Sequence, residues 1–222
     1  MAVGLKQPGK LLPVRGVRLA ATHSGIKANP KITDLVLIEV SDTSNLAATF
    51  TTNKFCAAPV TVAKDHLDKQ DSIRYLLINS GNANAGTGDQ GYQDALACCQ
   101  AVANKTSCLV ENVLPFSTGV IAAKLPADTI CKAIPGLFDS LDENKWLDAA
   151  QGIMTTDTCP KAITEQITVS GQMVTITGIA KGSGMIKPDM ATMLAYVATD
   201  ARIETPLLND LIKKSVACSF NS

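Results

Sequence analysis

The sequence predicts an α/β chain, and three observations carry that prediction. The first half holds apolar runs of strand length bounded by turn residues, small-residue stretches of helical period follow them, and the last third reads as a hairpin. The first expected strand is "DLVLIEV" at 34–40, and "APVTVAK" at 58–64 and "IRYLLINS" at 73–80 are read as the next two. The first and third are apolar almost without interruption, which expects burial on both faces. After the third comes "GNANAGTGDQG" at 81–91, a loop of small residues, and then "YQDALACCQAVANK" at 92–105, whose Ala, Leu and Cys recur with a helical period. Strand, glycine loop and helix in that order suit either an anion at the helix start or a tight turn with a close backbone approach. The spacing is neither a P-loop nor a dinucleotide fingerprint.

"VLPFSTGVIA" at 113–122 is a strand that runs into Ser117-Thr118-Gly119. "ADTICKAI" at 127–134 is expected as a helix ended by Pro135-Gly136, and a second helix is expected over 142–154. Residues 162–184 hold two alternating strands around Ser170-Gly171, a hairpin signal. "MLAYVATDA" at 193–201 is a further strand, and Thr205-Pro206 caps a helix with Leu207, Leu208, Leu211, Ile212 and Val216 at apolar positions.

Composition removes several classes of function. Twenty basic side chains balance 20 acidic ones and only 18% of residues are charged, so there is no electrostatic footprint for nucleic acid or an anionic membrane. The seven cysteines are odd in number and lack a CxxC pair, which fits a reducing cytoplasm better than a disulfide framework or a zinc site. The vicinal Cys98-Cys99 pair is expected in a helix core, as small apolar groups. His23 and His66 are the only histidines and read as structural, so no metal is expected. The N-terminus lacks an apolar signal core, and no run approaches the length of a membrane span. No internal repeat or linker divides the 222 residues.

The stretch from Lys181 to Leu194, "KGSGMIKPDMATML", has little helical or strand logic. A hydroxyl needs a base before it becomes a nucleophile, and in a chain with almost no histidine one solution is the residue's own α-amine. That solution requires a cut immediately before the hydroxyl residue. The bond between Ala191 and Thr192 has a small acyl side and a threonine after it. Gly182 and Gly184 permit a strained approach, Pro188 restricts the loop, and Lys181 and Lys187 supply positive charge to an oxyanion or a carboxylate. A glycine turn leading into a core strand is the plainer reading of the same residues.

"KGSGMIKPDMATMLAYVATDA" resembles the self-cleavage segment of the ornithine acetyltransferase family, also called bifunctional glutamate N-acetyltransferase. "GVRLAATHSGIK", "LLINSGNANAGTGDQG", "VLPFSTGVIA" and "GIMTTDTCPK" are similar to that family's segments, in the family's order and over essentially the whole chain. The resemblance implies a layered αββα sandwich of the type shared with self-processing aminopeptidases. It implies cleavage between Ala191 and Thr192 into an α chain, 1–191, and a β chain of which 192–222 is the start. Thr192 is then the nucleophile that takes acetyl from N-acetylornithine and passes it to glutamate, in arginine biosynthesis in the cytoplasm. By the same resemblance Thr118 and Gly119 form the oxyanion hole, and Thr155, Lys181 and Thr192 bind substrate, with Thr156 an adjacent alternative to Thr155. No cofactor is implied, although acetyl-CoA serves some members as a donor, and the expected assembly is an α2β2 heterotetramer. Pro188-Asp189 replaces the Pro-Asn common in the family, which bears on the rate of processing. Members run to roughly twice this length, so a truncated product is expected. An aminopeptidase or amidase with the same nucleophile, and a non-catalytic fragment, are the rival readings.

Overall fold

The computed structural model describes residues 7–70, 72–183 and 193–220. Its first sheet has the order β1 (Val17–Thr22), β2 (Leu35–Val40), β3 (Tyr75–Asn82), β4 (Val113–Val120). The first two pairings are antiparallel, and β3 and β4 run parallel. The second sheet is an antiparallel meander of β5 (Lys161–Val169), β6 (Gln172–Lys181) and β7 (Leu194–Thr199). The helices are α1 (Ala58–Lys69), α2 (Gly88–Thr106), α3 (Ala127–Asp139), α4 (Trp146–Gly152) and α5 (Thr205–Ala217).

The continuous apolar character of β2 and β3 follows from what covers them. Leu35, Leu37, Tyr75 and Leu77 pack under α1, α2 and α3 through Val62, Ala95, Cys98, Cys99, Val102, Ile130, Ile134 and Leu137. Val36, Ile38, Leu76 and Ile78 point the other way, onto Trp146, Ala149 and Ile153 of the α4 segment and onto Ile179 and Tyr196 of the second sheet. Successive residues of a strand face opposite sides, so a strand between two layers needs apolar residues at every position. The layered α/β sandwich implied by the resemblance is therefore present as helices, sheet and sheet. Ile163, Ile167, Val169 and Val197 on the second sheet stay exposed, and α5 touches the other elements only sparsely.

Trp146 is the largest fully buried side chain, 1% exposed, at the junction of α4 with both sheets. Trp146→Ala is expected to cost about 3–5 kcal/mol of stability, read as a lowered denaturant midpoint.

Several expectations need correction. Residues 58–64 are the start of α1 and not a strand: Pro59 sits in the first turn, and Pro59, Val62, Ala63 and His66 form a buried stripe at helical spacing. The alternation of Val60 and Val62 suggested a strand, but the stripe extends past that window to His66. Helix α3 does not stop at Pro135-Gly136 but continues to Asp139. Pro135 forfeits one helical hydrogen bond, and burial of Leu137 with the edge-on contact of Phe138 to Tyr75, centroids 5.5 Å apart, offsets the loss. Glu204 is the N-cap of α5, so Thr205 and Pro206 lie inside its first turn. Helix α2 begins four residues earlier than its pattern, α4 is shorter than 142–154, and β1 forms within 16–27, where the sequence patterns predict no strand. The buried pair Cys98 and Cys99 sits in α2 as expected.

Candidate active site

The site grows from the ends of the parallel pair β3 and β4, where Gly81 lies opposite Gly119. Both adopt positive φ, +107° and +139°. A Cβ on Gly119 would stand 2.3 Å from the Gly81 carbonyl carbon and 2.5 Å from the Asn82 nitrogen, so the two backbones approach as closely as they do only because Gly119 carries no side chain, whereas a Cβ on Gly81 would meet the Ile26 side chain at 2.9 Å. The loop after β3 is held by its own amides. Asn82 Nδ2 donates to the carbonyls of Ala123 and Lys124 at 3.1 and 3.0 Å, and Asn84 Nδ2 donates to that of Gly91 at 2.8 Å. Thr87 Oγ1 donates to Asn84 Oδ1 at 2.8 Å. Asn84 is fully buried with φ of +46°. These bonds favour the tight-turn reading of "GNANAG" over an anion cradle.

Lys181 ends β6 and is 6% exposed; its Nζ donates to Thr118 Oγ1 at 2.8 Å. An ammonium has no acceptor, so the Thr118 oxygen accepts and its own O–H remains to donate elsewhere. Burial lowers the pKa of Lys181, with the Asp157 carboxylate opposing that shift and Lys161 adding to it. Asp157 takes Lys161 Nζ, the Gly182 N–H at 3.0 Å and the Thr155 N–H at 3.4 Å. Burial pushes its carboxyl up, and these donors outweigh it, leaving the pKa below the usual carboxylate value.

A second polar cluster fixes the segment before Thr155. Asp34, fully buried, accepts the Ser24 N–H at 2.6 Å, the Ser24 hydroxyl at 2.8 Å and the Lys27 N–H at 2.9 Å. Lys27 Nζ then donates to the carbonyls of Thr33 and Met154 at 3.1 and 2.8 Å, and Ser80 Oγ donates to that of Gly152 at 2.5 Å. Burial lowers the pKa of Lys27, Asp34 raises it, and the Lys181 charge lowers it further.

Thr118, Gly119, Thr155, Thr156 and Lys181 all line one open cleft of ≈ 2140 Å³. That exceeds the few hundred to about 1,000 Å³ of an ordinary small-molecule pocket. Ala191, Thr192, Lys187, Pro188 and Asp189 lie outside the described residues. His66 Nδ1 is spent on the Val113 carbonyl at 2.7 Å and His23 Nδ1 on that of Ile32 at 3.0 Å, in keeping with structural roles. Among the described residues no group of three or more His, Cys, Asp or Glu gathers as a metal set, and no helix is long and apolar enough to cross a membrane. Sequence reasoning assigns no site role to Lys27, Asp34, Ser80 or Asp157. Nothing local marks a charged residue that tertiary packing will bury.

Residues 18–222 match the ArgJ family. The chain belongs to that family. A relative from Methylococcus capsulatus, named arginine biosynthesis bifunctional protein ArgJ, is 51% identical over 212 residues, covering 96% of this chain and 51% of its own length. The chain thus spans about half the length of the curated relatives it matches. Among solved structures, the arginine biosynthesis bifunctional protein argJ of Bacillus halodurans aligns with a TM-score of 0.73 and 34% identity, covering 82% of this chain and 92% of that one. The ornithine acetyltransferase of Mycobacterium tuberculosis, solved as a complex with ornithine, aligns with a TM-score of 0.67 and 31% identity over 82% of this chain and 94% of that one. Membership of the ArgJ family agrees with the resemblance drawn from the sequence blocks, and the matched ArgJ structures support the layered α/β fold.

Proposed function

We propose that this chain belongs to an acetyltransferase of arginine biosynthesis that moves an acetyl group from N-acetylornithine to glutamate. The observation that carries the reading is the bond from Lys181 Nζ to Thr118 Oγ1 within the cleft, because it turns the threonine hydroxyl into an oriented donor in a buried place. Self-cleavage between Ala191 and Thr192 gives an α chain of 1–191 and a β chain that begins at Thr192. The new α-amine takes the proton of the Thr192 hydroxyl, and the hydroxyl oxygen attacks the acetyl carbonyl of N-acetylornithine. Thr118 O–H and the Gly119 N–H donate to the tetrahedral oxygen, each donor worth about 3 kcal/mol. The C–N bond breaks, ornithine leaves with the proton, and the amine of glutamate then attacks the acetyl-Thr192 ester and regenerates the hydroxyl.

Lys181 and Thr155 bind the substrate, the lysine through the α-carboxylate that donor and acceptor share. No coenzyme enters the exchange, and acetyl-CoA is an alternative acetyl donor to be tested beside N-acetylornithine. The α and β chains stay together as α2β2.

The test has two steps. An intact-mass spectrum of the purified protein is expected to give two masses that divide before Thr192. Incubation with N-acetylornithine and glutamate is expected to yield N-acetylglutamate, with an acetyl adduct on the Thr192 chain when glutamate is withheld. Free acetate in place of N-acetylglutamate would reassign the chain to an amidase. One uncut mass without an adduct would make it a non-catalytic module.

A further inference from the structure

Asp157 has a side chain that is 1% exposed and stands on the segment between α4 and β5. A buried carboxylate is costly unless it is fully paired, and its pairing is divided between two pieces of chain. Oδ1 takes Lys161 Nζ and the Gly182 N–H, while Oδ2 takes the Thr155 N–H. Gly182 follows Lys181 directly, so the carboxylate anchors the exit of β6 one residue from the ammonium that reaches Thr118. The same carboxylate shapes the turn that carries Thr155 into the cleft. We propose that Asp157 is a positioning residue that fixes the Lys181 ammonium against Thr118 and ties it to the Thr155 turn. This inference rests on the acetyl-transfer reading for its catalytic consequence and on geometry alone for its physical content.

The groups around Lys181 set the direction of the effect. Asp157 and Lys161 face it from the loop and the start of β5, and Lys27, whose ammonium is held by the carbonyls of Thr33 and Met154, faces it from the segment after β1. Thr118 meets it from β4. On β7, burial keeps the Tyr196 phenol neutral by raising its pKa well above the ordinary value. Asp157 is the anion that favours the charged ammonium here, whereas Lys161 disfavours it. Removing the Asp157 charge therefore lowers the pH at which Lys181 loses its proton, and removing the Lys161 charge raises it.

The experiment is a pH titration of lysine carbon resonances in the protein as isolated, with Lys181 assigned through Lys181→Arg, run beside the pH profile of acetyl transfer. Asp157→Asn keeps an acceptor for Gly182 and deletes the charge. It is expected to shift the Lys181 midpoint, and the alkaline limb of the rate profile with it, to lower pH, and to raise KM for the carboxylate substrates more than it lowers kcat. Lys161→Gln is expected to shift the midpoint the other way, and it carries the test if Asp157→Asn does not fold, because Lys161 is partly exposed. Midpoints unmoved in folded variants would overturn the proposal. Midpoints that move as stated in a protein that transfers no acetyl group would uphold the hold of Asp157 on Lys181 and sink the acetyl-transfer reading.

Discussion

Replacing Thr192 by alanine is expected to leave the Ala191–Thr192 bond uncut and to remove acetyl transfer entirely. In the proposed mechanism both steps draw on one oxygen. It would attack the carbonyl of Ala191 to free the N-terminus, and the freed residue would supply hydroxyl and base together. Thr192→Ser keeps the hydroxyl and is expected to retain part of each activity. An intact-mass spectrum reads the cut, and formation of N-acetylglutamate reads the transfer. A Thr192→Ala protein that divides normally, or that still produces N-acetylglutamate, would show that the nucleophile lies elsewhere.

Gly119→Ala is expected to be the most damaging single change among the described residues of the site. The added Cβ would meet the Gly81 carbonyl carbon at 2.3 Å, the Asn82 nitrogen at 2.5 Å and the Gly81 oxygen at 2.6 Å, all of them backbone atoms that no rotamer change moves away. A φ of +139° adds a conformation that alanine resists. The strands must separate where Thr118 is held, so the stability loss is about 1–3 kcal/mol for overpacking, and the displaced donors cost turnover on the order of 10²–10³-fold. Gly136→Ala is the matched control. Nothing lies within 4 Å of the site its Cβ would occupy, on helix α3, and alanine there is expected to leave turnover unchanged and to stabilise by about 0.5–1 kcal/mol. Denaturation midpoints and acetyl-transfer rates on both variants separate the packing effect from the catalytic one. Equal behaviour of the two would show that β3 and β4 yield more readily than their register implies.

The local patterns that predicted β2, β3, β4 and the hairpin β5–β6 succeeded because period and turn residues are properties of neighbouring positions. Thr118 and Gly119, read in "VLPFSTGV" as the residues the apolar strand runs into, lie within β4 itself. Local pattern fails for 58–64, where the alternation of two valines is outweighed by a buried stripe that reaches His66, and for Pro135, which Leu137 and Phe138 carry past. In both cases the deciding energy is burial against another element, which no window of seven residues contains.

What the sequence determined by itself is the place of β2, β3, β4, β7, the β5–β6 hairpin and the helices after β3, though neither β1 nor α1, together with the membership of Thr118, Gly119, Thr155 and Lys181 in candidate motifs and the segment that holds Ala191-Thr192. What only the tertiary structure decided is that Lys181 reaches Thr118 across 63 residues of chain, that the Asp157 and Asp34 carboxylates are buried and satisfied near them, and that the half-buried Lys27 ammonium is held by two backbone carbonyls. A charge survives in the interior only where partners from distant segments converge on it, and that convergence is a property of the packed sheets and not of any one stretch of residues.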